Sequence, residues 1–377
     1  MFQDVFVLGA RGKVGSTLVR QIYDRGDTNA DLHSNPTRVV GLVDQDSPHL
    51  SVQFNQEGIS QRGAEEFIAR EGSYPKFGSL NELLDFVASS YRPANGEKML
   101  SFADVTNARE EMGQFHLRTI RETPFGLVTS NKHPLVSCTF DEFKMLTQSP
   151  TRYGYRCSVM AGAEAVDMIR DLRDLGDPPT EISGCFSGTL GYLCTELEKG
   201  RNLSEIVTEA QEKGYTEPHP ADDLDGGDVE RKILILARTA GFDIPKERIK
   251  REPFIPEEYL VQKDIKKFLA SLSELNMPFL EKVHKAKGQG YVLRYVARFD
   301  NSDGTPTLNI GLRGVQNDGP IGSLNGTANK IVIRTQTYNQ TPYCVQAPGA
   351  GLAITAQNVR RDLLAQLLNR VTSFSKK

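Results

Sequence analysis

The chain has 377 residues, with 45 Lys+Arg set against 48 Asp+Glu, six His, five Cys and no Trp. At roughly 100–200 residues per domain this length predicts about two domains, and 38% hydrophobic with 25% charged residues is the make-up of an ordinary globular chain. A formal net charge of −3 argues against a nucleic-acid partner or a polybasic membrane surface, and the densest apolar run, Ile233–Ala237, falls far short of the roughly 20 residues that span a bilayer.

Strand-like sequence begins almost at Met1, which predicts a cytoplasmic protein without a signal peptide or transit segment. Asp4–Leu8 is a short apolar run that ends in Gly9-Ala-Arg11-Gly12-Lys13-Val14-Gly15. A helical pattern follows, with Val14, Leu18, Val19 and Ile22 on one face. Strand, glycine turn and helix in that order is the context of a dinucleotide site, because pyrophosphate must reach backbone N–H groups at a helix N-terminus where a Cβ would obstruct it. The spacing here is GxxGxxG, one residue longer than the usual GxGxxG. A second strand, Thr37–Val43, ends in Asp44, placed to accept hydrogen bonds from an adenosine ribose as in NAD sites. Arg11, within the glycine turn, would instead suit the 2′-phosphate of NADP; the reading leans to NAD with NADP left open.

Ser79–Ala88 reads as an amphipathic helix with a serine N-cap. Met99–Ala103 reads as a buried strand ending in Asp104-Val-Thr106-Asn107, and a helix over 108–122 leads to a strand at Gly126–Val128 ending in Thr129-Ser-Asn131-Lys132. Strands alternating with helices imply a parallel sheet, whose ligands collect beyond the carboxyl ends of the strands. Cys138, Cys157, Cys185, Cys194 and Cys344 are odd in number and form no CxxC pair. That excludes a disulfide framework and a zinc site made by cysteines alone, and predicts buried free thiols; no metal ligands are assigned.

The stretch from Glu217 to Asp228 crowds five carboxylates, Glu217, Asp222, Asp223, Asp225 and Asp228, into a Gly/Pro-rich loop that runs into a helix apolar from Ile233 onward. Asp228 and Lys232, four residues apart, share one face of that helix. The apolar continuation predicts a buried helix, and clustered carboxylates suit a cationic substrate group. Further on, Tyr291–Ala297, Leu308–Leu312 and Lys330–Arg334 alternate apolar and polar residues as antiparallel strands do.

Gly184-Cys-Phe-Ser-Gly188-Thr189-Leu190, Gly214-Tyr215-Thr216-Glu217-Pro218, Asp222-Asp223-Leu224 and Asp228-Val-Glu-Arg-Lys232 together resemble the signature of homoserine dehydrogenase. The similarity runs over essentially the whole chain. It includes Thr129–Lys132, Leu293-Arg-Tyr295, and Gly349-Ala-Gly351 with Thr355-Ala356, and it is strongest to the compact form with no regulatory domain appended. The resemblance implies an α/β fold: a Rossmann-like dinucleotide-binding domain over residues 1–153 and 345–377, and an α+β substrate-binding and dimerisation domain with an open mixed sheet over 154–344. The helix expected at Ala356–Val371 would thus return to the first domain. No residues remain for a kinase or an amino-acid-sensing module, so threonine feedback through one is not expected.

The implied reaction interconverts aspartate semialdehyde and homoserine with NAD or NADP, on the route to threonine, methionine and isoleucine. By resemblance Lys232 transfers the proton, with Lys132 as its rival beside the reacting oxygen and Asp228 completing the catalytic set. Glu217 and Asp228 bind the substrate ammonium, supported by Asp223, and Tyr215, Gly188 and Thr189 complete the pocket. Gly9, Arg11, Gly12, Lys13, Val14, Gly15, Asp44, Thr106, Gly349 and Gly351 are the expected cofactor contacts. The partners implied are a small amino-acid substrate and a second copy in a homodimer, with neither nucleic acid nor membrane.

Two departures stand out. Family members have an acidic residue that helps backbone carbonyls hold a monovalent cation where this chain has Arg156, which predicts that the cation site is absent or replaced. Val159-Met160-Ala-Gly-Ala-Glu164 is bulkier and more acidic than the usual turn. That turn motivates an alternative, an NAD(P)-dependent reductase of another small amino-acid-like carbonyl compound. A catalytically silent nucleotide-binding protein is the third reading, and aspartate-semialdehyde dehydrogenase is disfavoured because no cysteine looks activated.

Overall fold

The computed structural model describes residues 3–33, 36–92 and 99–374. The chain divides into two compact units, Met1–Gly162 with Gly351–Lys377, and Ala163–Ala350.

The first unit is built on a seven-stranded sheet of order β4-β3-β2-β1-β5-β6-β7. Its strands are β1 (Gln3–Leu8), β2 (Thr37–Asp46), β3 (His49–Phe54), β4 (Lys76–Phe77), β5 (Met99–Asp104), β6 (Gly126–Thr129) and β7 (Tyr153–Gly154). β2, β1, β5, β6 and β7 run parallel, joined by crossovers that carry helices such as Lys13–Asp24 and Glu110–Glu122. β3 and β4 are antiparallel additions. Only Ser47 and Pro48 separate β2 from β3, and so short a link can make a hairpin but not a parallel crossover. That hairpin departs from the purely parallel pattern expected.

β1 is buried along its whole length, Gln3 and Asp4 included. The Asp4 carboxylate accepts from Arg38 at 2.8 and 2.9 Å and from the Tyr91 hydroxyl at 2.7 Å, so its charge is buried with partners rather than alone. The helix Leu352–Phe374 belongs to this unit, starting four residues earlier than its periodicity suggests. Its Ala356, Val359 and Leu363 join the core formed by Val5, Val7, Leu18, Val19, Ile22 and Phe67. Gln366 fastens it to the sheet, accepting from Ser101 Oγ at 2.8 Å and donating to the Leu127 carbonyl at 3.0 Å.

The second unit carries a six-stranded sheet of order β13-β12-β8-β10-β11-β9. Its strands are β8 (Glu181–Cys185), β9 (Ile249–Arg251), β10 (Tyr291–Asp300), β11 (Thr307–Gln316), β12 (Ala328–Arg334) and β13 (Tyr343–Pro348). All neighbours are antiparallel except β9 and β11, so the sheet is open and mixed. The helices Gly188–Glu198, Gly227–Thr239 and Asn276–Gly288 pack on β10. Gly227–Thr239 also packs on the helix Ala165–Asp174, and being covered on two sides it buries every residue from Lys232 to Thr239.

Both junctions lie further along the chain than the boundaries expected at 153/154 and 344/345. Residues 156–162 pack on the helix Leu352–Phe374 and stay with the first unit, while β13 is held in the second by its ladder with β12.

Candidate active site

In the first unit the carboxyl ends of β1, β5 and β6 lie side by side, where the strand order turns from β2-β1 to β5-β6. The glycine turn closes with Gly9 and Ala10 N–H groups on the Val43 carbonyl at 2.9 and 3.0 Å. Gly9 has φ +85° and its absent Cβ would stand 3.0 Å from Thr106 Cγ2, while a Cβ on Gly15 would overlap the Gly9 carbonyl. Gly12 caps the helix Lys13–Asp24 with extended backbone and is exposed. The N–H groups of Lys13, Val14 and Gly15 therefore lie in the first turn of a helix, without intrahelical acceptors, an anion cradle of the kind a pyrophosphate requires.

Arg11 and Asp44, expected to pull the cofactor choice in opposite directions, meet in this turn. β2 continues two residues past Asp44, whose Oδ2 accepts from the Arg11 backbone N–H at 2.7 Å. The Arg11 guanidinium stacks 4.3 Å over the Phe67 ring, with Nε donating to the Phe67 carbonyl at 2.9 Å.

A buried network that no local pattern announces underpins the same edge. Asp104 Oδ1 accepts from Thr106 N and Oγ1 at 3.0 and 2.7 Å, and Oδ2 from Thr129 Oγ1 and His116 Nε2, each at 3.1 Å. His116 Nδ1 lies 2.8 Å from the Tyr153 hydroxyl. Burial raises the Tyr153 phenol well above its ordinary range, so the hydroxyl keeps its proton. Asp104 thereby fixes Thr106 on one strand end and Thr129 on the next. Asn131 extends the lattice, its Nδ2 donating to Ala108 O at 2.8 Å, and half-buried Lys132 follows at the start of the short helix His133–Ser137.

In the second unit β8 runs out through Phe186 into Ser187, whose hydroxyl caps the helix Gly188–Glu198 by accepting from Leu190 N at 3.2 Å. Thr189 Oγ1 reaches the Tyr215 carbonyl at 2.6 Å and Asp223 Oδ1 at 3.0 Å. Asp223 Oδ2 accepts the Glu217 N–H at 2.7 Å, which orders the loop that presents the Glu217 side chain to solvent. Burial above all, helped by the nearby charges of Glu217 and Asp228, pushes the Asp223 carboxyl up to about 6 against the opposing pull of its two hydrogen bonds.

Lys232 is 7% exposed. Its Nζ donates to the Phe186 carbonyl at 2.7 Å and to Asp228 Oδ2 at 2.8 Å. Two acceptors around a three-donor ammonium leave one N–H for a further oxygen. The sequence spacing foresees the Asp228 pair; the Phe186 contact comes only from the packing of the Gly227–Thr239 helix beside the end of β8. That helix starts at Gly226, φ +74°, where a Cβ would overlap the Tyr295 hydroxyl.

The five carboxylates do not act together. Asp225 pairs with Arg251 at 3.5 Å, alongside Glu230 at 2.8 Å, the side chains of Asp222 and Glu217 are exposed, Asp228 pairs with Lys232, and Asp223 accepts from Thr189. Asn329 was not foreseen. Its fully buried side chain has no hydrogen-bond partner among the described residues and abuts Gly349, one residue before Lys330 pairs with Cys185 of β8. Gly349 and Gly351, expected as one cofactor element, fall in different units. The thiols of Cys185 and Cys194, at this end of the sheet, are pushed up to about 12 by burial, the opposite of nucleophile activation. All five cysteines are free.

One unit is thus of Rossmann type with an anion cradle at a helix start, and the other carries a buried lysine paired with a carboxylate. The family model for homoserine dehydrogenase matches residues 165–364, just over half of the chain, and the chain belongs to that family. It is 36% identical over 358 residues to a chloroplastic bifunctional aspartokinase/homoserine dehydrogenase of Zea mays, covering 94% of this chain and 37% of that protein. To the bifunctional aspartokinase/homoserine dehydrogenase 2 of Escherichia coli it is 36% identical over 245 residues, 64% of this chain and 29% of that protein. The chain thus spans about a third of the length of these curated relatives. Among solved structures, a Candida auris protein of unknown function superimposes with a TM-score of 0.81 at 25% identity, covering 97% of this chain and 98% of that one. A hyperthermophilic archaeal homoserine dehydrogenase in complex with NADPH superimposes with a TM-score of 0.70 at 20% identity, covering 98% of each chain. Among the described residues no helix is long and apolar enough to cross a membrane.

Proposed function

We propose that the chain catalyses the NAD(P)-dependent interconversion of L-homoserine and L-aspartate 4-semialdehyde, on the route to threonine, methionine and isoleucine. The observation that carries this reading is Lys232, buried and aimed by the Phe186 carbonyl and Asp228. A nicotinamide cofactor supplies or accepts the hydride when bound, and the turn of Gly9, Arg11, Gly12, Lys13, Val14 and Gly15, with Asp44, Thr106, Gly349 and Gly351, would hold it. Lys232 gives its proton to the carbonyl oxygen in reduction and recovers it from the hydroxyl in oxidation, while Asp228 keeps the ammonium oriented. Glu217 and Asp228 receive the substrate ammonium, Asp223 orders the Glu217 loop, and Thr189, Gly188 and Tyr215 frame the amino-acid end. Lys132 is the rival candidate for the proton-transfer role.

Lys232→Ala tests the assignment. Turnover followed by nicotinamide absorbance, with NAD and NADP in turn, should fall by roughly 10²–10⁴-fold with cofactor binding retained. Near-wild-type turnover would remove Lys232 from the role, and wild-type activity on another amino-acid aldehyde but none on homoserine would favour the alternative reductase. A homodimer through the open second sheet, in the reducing cytoplasm that five free thiols suit, completes the proposal. Light scattering that returns the mass of one chain would remove the dimer.

A further inference from the structure

The cation site implied by the family does not fit the residues present. Where a carboxylate would help hold the ion, Arg156 projects a guanidinium that is 8% exposed, paired to an Asp362 that is 5% exposed. The pair is closed twice, by Nε to Oδ1 at 3.1 Å and by the Arg156 backbone N–H to Oδ2 at 3.1 Å. The neighbouring carbonyls are also engaged. Tyr155 O accepts from Ser158 N at 3.0 Å and Oγ at 2.7 Å, Arg156 O from Val159 N at 3.3 Å, and Val159 O from Gly162 N at 3.1 Å. Ala161 O takes Asn358 Nδ2 at 2.9 Å. A metal cation here would meet a like charge already buried in a medium of low dielectric, which repels it far more strongly than water would allow.

The segment nevertheless needs something to hold it. Met160, Ala161 and Gly162 have φ of +51°, +50° and +94°, three left-handed residues in succession, two of them with a Cβ. Such backbone persists only where its surroundings over-determine it. The surroundings are the helix Leu352–Phe374: Asp362 grips Arg156, Asn358 grips Ala161, and the Cys157 thiol lies 3.6 Å from Thr355 O.

We infer that the Arg156 guanidinium, held by Asp362, is a built-in replacement for a bound monovalent cation, fastening the 155–162 turn to the helix Leu352–Phe374. One charge carried covalently does the work of an exchangeable ion, and the turn is then ordered at any sodium or potassium concentration. The inference rests on family membership and on this geometry, not on the proposed reaction.

Thermal unfolding of the full chain in sodium, potassium and choline chloride at equal ionic strength tests it without an activity assay. Wild-type midpoints should coincide in the three salts. Arg156→Gln removes the guanidinium from Asp362 and should lower the midpoint in choline chloride by roughly 5–15 °C, with part of the loss recovered saturably in sodium or potassium chloride. A saturable, sodium- or potassium-specific rise in the wild-type midpoint overturns the inference. So does an Arg156→Gln protein that keeps the wild-type midpoint in choline, or one that sodium and potassium stabilise no better than choline. Should that variant not fold, the wild-type titration alone decides.

Discussion

Asp223 sits in an environment unlike that of a surface acid. Burial raises its carboxyl to about 6, so the folded chain binds a proton there that the unfolded chain, with an ordinary value near 3.9, has released. The sign follows: between about pH 4 and 6 the native state holds more protons, and this group's contribution to stability falls as pH rises through that window. Function should move the other way, because the Glu217 N–H and an incoming ammonium both prefer the ionised carboxylate. KM for the amino-acid substrate is expected to rise as pH falls below about 6, while Asp223→Asn should show a raised and flatter KM across the same range. A steady-state pH profile of KM checks this, and an unchanged slope in Asp223→Asn would transfer the titration to another group. Asp228 and Lys232 read directly from an i, i+4 spacing, but Asp223 did not. Its role depends on Thr189, 34 residues away, and on a loop folding back over it.

The helix Gly227–Thr239 shows how an element converts packing into chemistry. Its apolar run faces β10 on one side and the helix Ala165–Asp174 on another, so its axis is set by the core and its first turn carries Asp228 into the site. Gly226 permits that start, having positive φ and no Cβ to strike the Tyr295 hydroxyl, which itself donates to the Glu252 carbonyl at 2.8 Å. Gly226→Ala should therefore cost about 2–6 kcal/mol from backbone strain and overpacking together. It should also depress kcat more than KM for the cofactor, since Lys232 sits nearly two turns along. Denaturant unfolding and steady-state kinetics measure the two effects, and a fully stable, fully active variant would show that the helix can start another way. The buried Asp104–His116–Tyr153 network plays a similar part in the first unit, where sheet register sets Asp104 beside Thr129 and His116, from the helix Glu110–Glu122, links Asp104 to Tyr153.

At the scale of the molecule, the chain leaves its first unit near Gly162 and returns at Gly351. The return depends on the helix Leu352–Phe374, which supplies core residues, closes an ion pair of Arg360 with Asp27 at 2.5 Å, and inserts Gln366 under the sheet. Gln366→Leu leaves the Ser101 hydroxyl and the Leu127 carbonyl buried without that partner. A loss of about 2–4 kcal/mol is expected from two such groups. A single unchanged unfolding transition would show that the helix contributes less to the first unit than its contacts indicate.

Much of this architecture is written in local pattern. The strand–glycine–helix opening, the alternation of strands and helices, the Asp228–Lys232 spacing and the antiparallel repeats after Gly290 are all short-range regularities, and each depends on backbone geometry that a few consecutive residues impose. The motifs also carry the family. What the tertiary structure decided are relations between segments far apart in the chain. It turned β3 into an antiparallel neighbour through a two-residue link, drew Asp225 away to Arg251, and tied Arg11 and Asp44 to each other. It also left Asn329 buried beside Gly349, and filled the expected cation position with a guanidinium whose counter-ion lies 206 residues away. Burial and charge pairing depend on which surfaces meet, and no window of sequence contains both sides of such a contact.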